Sequence, residues 1–455
     1  MPTEPGPNLT RDSTAPVTPL AASGSIERPE GKRRAVRQSH KEVAALSPLA
    51  FAGDAPTRSK TQQIGGQERT AMRNVGLDWG AREGAFCEVS SGKVIARRTT
   101  TSGLDGLRDL LGPGTARAVV AIEACREAWH VHDVLTNWGH EVLLVDTTRA
   151  RRIGIGQHGR KTDRIDAEVL AHAVERGSIP LAHVLSPERR ELREKLSTRR
   201  ALVQARAELV GTVRGIVRAR GEKLGGCDTE NFRAKVQKAT LGAATRAAIT
   251  SLMQVLASLA VELSHVEATL ERLCAKEPTI ARLTTAPGVG LIVAAAFVSV
   301  VDEAKRFHNA HQLESYLGLV PSEETSGGRD KRRLGAITKC GNPYVRSLLV
   351  QAAWCILRGR KDDPLRVWAK QVAKRRNKCI AVVALARRLA GVLWAMWRHG
   401  QVYDPALVGQ ASARGLARAA ASTEATARAM HAVATKAKRR TRILNARLPE
   451  VRTTN

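Results

Sequence analysis

Aromatic side chains make up only 3% of the 455 residues, which argues against a broad stacking platform for single-stranded bases. Paired cysteines are missing too. Cys87, Cys125, Cys227, Cys274, Cys340, Cys355 and Cys379 are odd in number and include no Cys-x-x-Cys spacing. That argues against a zinc ribbon or a disulfide framework and suits a reducing cytoplasm. The N-terminus has no apolar segment of the signal type, and no stretch reads as long enough to span a bilayer. A cytoplasmic protein with no membrane partner is expected. Negative charge is also short. Asp and Glu total 43 against 73 Lys and Arg, a net charge of +30. Such an excess attracts polyanions, of which DNA and RNA are the usual ones. A ribosome-associated or merely solubilised basic protein is the alternative.

The length predicts two or three domains. Residues 1–71 are rich in Pro, Ser, Thr, Gly and charge without periodicity, and read as a disordered extension. Met72 opens a compact-looking segment and is a candidate physiological start. From there the signals alternate. Strands are expected at Asn74–Trp79, Ala85–Val89, Val94–Thr100, Ala118–Ile122 and Val142–Val145. Helices are expected at Leu104–Leu111, 125–138 and Asp163–Glu175. Three consecutive strands followed by crossover helices predict an α/β domain of ribonuclease H-like (RuvC-like) order over 72–185. Residues 186–277 read as a helical coiled-coil region. Leu196, Val203, Val210 and Val217 repeat every seven residues, and Leu252, Leu256, Leu259, Leu263, Val266, Leu270 and Leu273 step by four and three. The two helices either fold back on each other or pair with another copy. Residues 278–400 read as a mainly α domain, and 401–455 as a basic, partly helical tail.

Four carboxylates stand out. Asp78 ends the first expected strand in Gly-Leu-Asp-Trp-Gly, and Glu123 ends the fourth in Ala-Ile-Glu-Ala. In this topology those strands are neighbours. Asp163 and Asp166, in Lys-Thr-Asp-Arg-Ile-Asp-Ala, are spaced to share one helical face. Such a cluster repels itself: two charges about 4 Å apart cost roughly 4 kcal/mol at an effective dielectric of 20. Divalent cations with oxygen ligands, Mg²⁺ first and Mn²⁺ as substitute, make it reasonable. Two such ions clamp the attacking and leaving oxygens of a phosphodiester. Taken singly, the bland readings come first: a lone Asp after a strand is usually a cap or turn residue, Asp163 caps its helix, and Asp166 pairs with Arg or Lys at helical spacing. The four positions agreeing with the strand order reverse that for the set. Arg160, Lys161 and Arg164 beside the last pair suit DNA phosphates.

Further along, Thr-Ala-Pro-Gly-Val-Gly precedes an apolar helix, Leu291–Val301. It looks like a helix-hairpin-helix element in which Gly288 and Gly290 bare backbone N–H groups to a phosphate. Tyr-Leu-Gly-Leu-Val-Pro321 leads to Thr325-Ser326-Gly-Gly and a basic run, Arg329, Lys331, Arg332 and Arg333. Lys339 and Arg346 flank Asn342, a good N-cap with Pro343 at the first helical position. A Ser beside glycines approaches a phosphate closely, so Ser326 is a candidate nucleophile; on residues alone, a flexible turn is the simpler reading.

Together these motifs resemble the insertion-sequence 110 family of bacterial transposases, which includes the Piv-type DNA invertases. The resemblance covers about 73–400 and rests on the order and spacing of the motifs quoted. It implies a DEDD tetrad at Asp78, Glu123, Asp163 and Asp166, and a catalytic Ser at Ser326 that attacks the phosphodiester to form a phosphoserine link. It also implies a homo-oligomer (dimer or tetramer) with composite sites between subunits, and a structured bridge RNA that pairs with donor and target DNA. The expected function is therefore that of a nucleoid-associated bacterial recombinase. Two rivals share the sequence: a RuvC-like Holliday-junction endonuclease using water, and a non-enzymatic basic nucleic-acid-binding protein.

Overall fold

A computed structural model describes residues 72–152, 163–324 and 333–410. Its first part alternates strand and helix: β1 (Arg73–Trp79), β2 (Glu83–Ser90), β3 (Lys93–Thr101), α1 (Leu104–Leu111), β4 (Ala118–Glu123), α2 (Ala128–Asn137), β5 (Glu141–Val145), α3 (Thr147–Arg152) and α4 (Asp163–Glu175). The strands form one mixed sheet in the order β3-β2-β1-β4-β5. The first three are antiparallel, and β1, β4 and β5 run parallel. The expected strand order is thus present. Helix α2 starts three residues later than expected, because Cys125 to Ala128 closes a turn first. The short α3 was not foreseen.

Strand alternation sorts the two faces. Val75, Leu77, Trp79, Phe86, Val120 and Ile122 are buried with Leu107 and Leu111 of α1 and Val131 and Leu135 of α2. The opposite face belongs to α4. Ala85, Cys87 and Val89 pack against its Ala167 and Ala171, and Ala121 packs against its Leu170 and Val174. The sheet is covered on both sides.

Two 33-residue helices follow, α5 (Pro187–Ala219) and α7 (Ala243–Ala275), joined through the short α6 (Phe232–Lys238). They fold back on each other. Arg189 pairs with Glu277 just past α7 at 2.6 Å, Arg199 with Glu267 at 2.7 Å, and Glu222 accepts from Thr245 at 2.7 Å. Rising numbers on one helix meet falling numbers on the other, so the hairpin is antiparallel. Leu256, Leu263 and Leu270 are buried; Leu252, Leu259, Val266 and Leu273 are only half-buried. One expectation needs correction here. Helix α7, and α13 below, are long and apolar enough by composition to cross a membrane. Helix α13 uses its apolar length inside the protein core, and α7 lies along α5.

The last part contains α8 (Pro278–Leu283), α9 (Leu291–Val301), α10 (Ala310–Tyr316), β6 (Pro321–Glu324), β7 (Arg333–Ile337), α11 (Pro343–Arg358), α12 (Pro364–Arg375) and α13 (Lys378–His399). Helix α9 carries no charged residue and is buried without a break from Ala294 to Val301, as a central core helix must be. Helices α5, α8 and α11 pack along it, Tyr316 of α10 donates to Val300 O at 3.1 Å, and Trp397 of α13 lies against Phe297. Their core is continuous with that of the sheet, in one cluster that includes Leu192 and Leu196 at the start of α5.

Candidate active site

Asp78 and Glu123 are brought together by strand register. Strands β1 and β4 pair in parallel with Gly76 opposite Ala121 and Leu77 opposite Ile122, so the next residues, Asp78 and Glu123, lie side by side at the strand ends. Parity fixes their face. Ala121 faces α4, and so does Gly76, because a Cβ there would lie 2.0 Å from the Ala167 carbonyl oxygen and 2.5 Å from the Ala171 nitrogen. Asp78 and Glu123, each two residues further on, face α4 as well. Both are half-buried.

Helix α4 runs against β1. Its Glu175 accepts a hydrogen bond from the Gly92 nitrogen at 3.0 Å, at the β2–β3 turn. Its Glu168 pairs with Arg97 of β3 at 2.6 Å, further along the sheet. The first turn of α4 therefore points toward the ends of β1 and β4. Asp78 lies about 7 Å along the strand from Gly76. Position 163 lies one turn, roughly 6 Å, before Ala167. The two come level. Asp166, half-buried, precedes Leu170 by one turn on the sheet-facing stripe. The side chains of Asp163 and Arg164 lie outside the described residues, as do Arg160 and Lys161.

The donor set suits a hard divalent cation, since these positions offer carboxylate oxygen alone. Among the described residues no three acidic, His or Cys side chains converge closely enough to form a metal group by themselves. Next to the pair, burial and the neighbouring Glu127 and Asp78 carboxylates push the Cys125 thiol up to about 11, against backbone hydrogen bonds that lower it. At neutral pH it is a neutral thiol.

A second arrangement flanks the candidate serine in the chain. Strands β6 and β7 form an antiparallel hairpin, with Pro321 opposite Ile337 and Glu324 opposite Arg333. This hairpin was missed by sequence reading. Ser326 follows two residues after β6; it, Arg329, Lys331 and Arg332 lie outside the described residues, and so does the Arg333 side chain. The hairpin base is locked by two glycines. Gly318 has a positive φ of 67°, and a Cβ there would sit 2.6 Å from the Cys340 nitrogen. A Cβ at Gly341 would sit 2.4 Å from the Tyr316 carbonyl oxygen. Tyr-Leu-Gly and Lys-Cys-Gly therefore cross backbone on backbone. Arg346 clamps the crossing, donating to Leu317 O at 3.1 Å and Gly341 O at 3.2 Å. Expected as a nucleic-acid contact, Arg346 has its guanidinium engaged internally, and burial lowers its pKa. Asn342 caps α11 as expected, accepting from Tyr344 N and Val345 N. Lys339 is exposed, with φ 56°.

Of the two glycines expected to bare N–H groups, Gly288 serves packing: a Cβ there would lie 2.6 Å from the Ala352 carbonyl oxygen of α11. Gly290 is the exposed N-cap of α9, with open space around it. Sequence reading also missed a buried junction. Asp302, which ends α9, is 7% exposed. It is bound to His183 Nε2 at 2.6 Å, Ser186 Oγ at 3.1 Å and Ser186 N at 3.3 Å. Burial raises the Asp302 pKa, but these bonds outweigh it and hold the carboxyl below its ordinary 3.8. A depressed carboxyl stabilises the fold above its unfolded pKa and loses that contribution as pH falls through the lower native value. Thermal melting should thus show the junction intact at neutral pH and weakening only below about pH 4. Asp302→Asn should flatten that acid limb; an unchanged limb would count against the assignment.

Two carboxylates at the ends of neighbouring parallel strands, in a chain of net charge +30, fit an enzyme that works on polynucleotide phosphates. The comparisons specify it. Residues 75–219 match the DEDD transposase family of IS110 elements, and residues 280–366 match the family described as "Transposase IS116/IS110/IS902 family". The chain is 30% identical over 299 residues to a probable family 20 transposase of Pseudomonas aeruginosa, covering 63% of this chain and 86% of the relative. It is 28% identical over 300 residues to the transposase for insertion sequence element IS1111A of Coxiella burnetii, covering 62% and 79%. It is 26% identical over 294 residues to the transposase for IS1328 of Yersinia enterocolitica, covering 63% and 85%. The chain belongs to the IS110 family of transposases. Its activity is DNA cleavage and recombination, and its DEDD domain is of a kind that generally uses divalent metal ions.

Proposed function

We propose that Asp78, Glu123, Asp163 and Asp166 hold Mg²⁺, with Mn²⁺ as substitute, and present a DNA phosphate to the hydroxyl of Ser326. The observation that carries this reading is the register that sets Asp78 beside Glu123 under the first turn of α4. The ion, when bound, offsets the carboxylate repulsion and polarises the phosphate. Ser326 Oγ gives up its proton and bonds to phosphorus, and the bond from phosphorus to one deoxyribose oxygen breaks, leaving a free sugar hydroxyl. The bond energy is kept in the phosphoserine, so attack by a second sugar hydroxyl rejoins the strands without a further energy source. Arg160, Lys161, Arg164, Arg329, Lys331, Arg332, Arg333 and Lys339 supply phosphate contacts. The five-stranded sheet with its four helices is read as ribonuclease H-like over 72–185, the antiparallel α5–α7 hairpin as the coiled-coil region over 186–277, and 278–400 as the transposase domain that positions Ser326. A structured bridge RNA and a homo-oligomer complete the working assembly, within the cytoplasm.

The test is a covalent one. Incubating the protein with element-end DNA, RNA transcribed from the element's non-coding end and Mg²⁺, then denaturing, should leave a protein–DNA adduct on wild type and none on Ser326→Ala. Full strand cleavage by Ser326→Ala would instead establish water as the nucleophile, the endonuclease reading.

A further inference from the structure

A cavity of about 200 Å³ opens at the same strand ends as the carboxylate pair but on the opposite face of the sheet. It is lined by Trp79, Ser102, Leu104, Leu107, Glu127 and His130. Asp78 and Trp79 are consecutive, so their side chains leave β1 on opposite sides. One borders the catalytic face and the other the cavity. The indole is held in place: a Cβ on Gly84 would lie 2.6 Å from its ring. Ser102 Oγ donates to Gly80 O at 2.6 Å, tying the β3–α1 turn to the β1–β2 turn around the opening.

Size and charge narrow the occupant. Sites for whole cofactors run about 300–1,000 Å³, so this space is small for a nucleotide with its sugar and phosphate. It is large for an ion or one water, which takes about 30 Å³. Glu127 on the rim disfavours an anion. An indole and two leucines make the walls apolar, while Ser102, His130 and Glu127 offer hydrogen-bonding groups at the edge. A flat, neutral, edge-polar group meets these demands. We propose that this pocket takes a single unstacked nucleobase from the nucleotide next to the cleaved phosphate. Pulling that base out of the stack turns the adjoining phosphate toward Asp78 and Glu123, around the end of β1. The proposal rests on the reading of Asp78 and Glu123 as the phosphate-side carboxylates.

Leu104 is the first residue of α1 and is 45% exposed, so Leu104→Trp fills the cavity from its rim without disturbing the core. Binding is measured on duplexes carrying the element's own end, with one abasic position stepped across the cleaved junction. Leu104→Trp should bind intact DNA about tenfold more weakly than wild type, the worth of one base stack. On the duplex whose abasic position removes the pocketed base, the two proteins should bind equally. Equal loss on every duplex, or loss on none, overturns the proposal. Should Leu104→Trp fail to fold, His130→Trp on the exposed rim takes its place in the same comparison. Asp78→Asn separates the two readings. Normal cleavage by that variant sinks the carboxylate assignment, whereas the base-dependent difference in binding reports on the pocket alone.

Discussion

Asp78→Asn is expected to lower DNA cleavage by roughly a thousandfold, comparable to removing a charge-stabilising group aimed at a transition state, while leaving the fold intact. The reason is geometric. Asn keeps the size of Asp, so the half-buried position at the end of β1 should shift stability by no more than about 1 kcal/mol. What it loses is the anionic oxygen opposite Glu123. Cleavage of end-labelled DNA and thermal melting, read on the same preparation, check both halves. Near-normal cleavage with a normal melt would remove Asp78 from the chemistry.

Gly76→Ala should be damaging through packing alone. The new Cβ would lie 2.0 Å from the Ala167 carbonyl oxygen and 2.5 Å from the Ala171 nitrogen, both backbone atoms of α4. No side-chain rotation relieves that overlap, so α4 must lift from the sheet. Overpacking a core by even one methyl typically costs about 1–3 kcal/mol; a clash with helix backbone belongs at the upper end. Because the first turn of α4 carries Asp163 and Asp166, the same shift would carry them away from Asp78 and Glu123, the other half of the proposed tetrad. Urea unfolding should show the loss of stability, and cleavage should fall even under conditions where the variant remains folded. A variant with wild-type stability and activity would contradict the placement of α4 over β1.

Much of this was legible beforehand because it depends on local pattern. Strand alternation at 73–123, the two glutamate- and aspartate-bearing strand ends, and the Asn342–Pro343 helix start are each written in a few neighbouring residues. The features that escaped depend on residues far apart. Nothing near Gly76 says that Ala167 will lie on it, though a glycine inside an apolar strand is a known mark of close approach. The crossing of Gly318 and Gly341 brings together two motifs more than twenty residues apart, and the two carbonyl partners of Arg346 are invisible in sequence. The β6–β7 hairpin was hidden by its serines, glutamates and glycine, which favour a turn reading. Asp302, His183 and Ser186 join across more than a hundred residues. The apolar character of α7 and α13 was underestimated for a different reason: charges interrupt both helices, Glu262 in α7 and Arg387 and Arg388 in α13, although each keeps a long stretch of high mean hydropathy.

The account turns on four carboxylates acting as one cation site. Titrating Mn²⁺ into the full-length protein and following free ion by electron paramagnetic resonance addresses it directly. Wild type should bind Mn²⁺ in competition with Mg²⁺, and Asp78→Asn should lose that binding while remaining folded. Identical Mn²⁺ binding by the two proteins would contradict the site at the ends of β1 and β4.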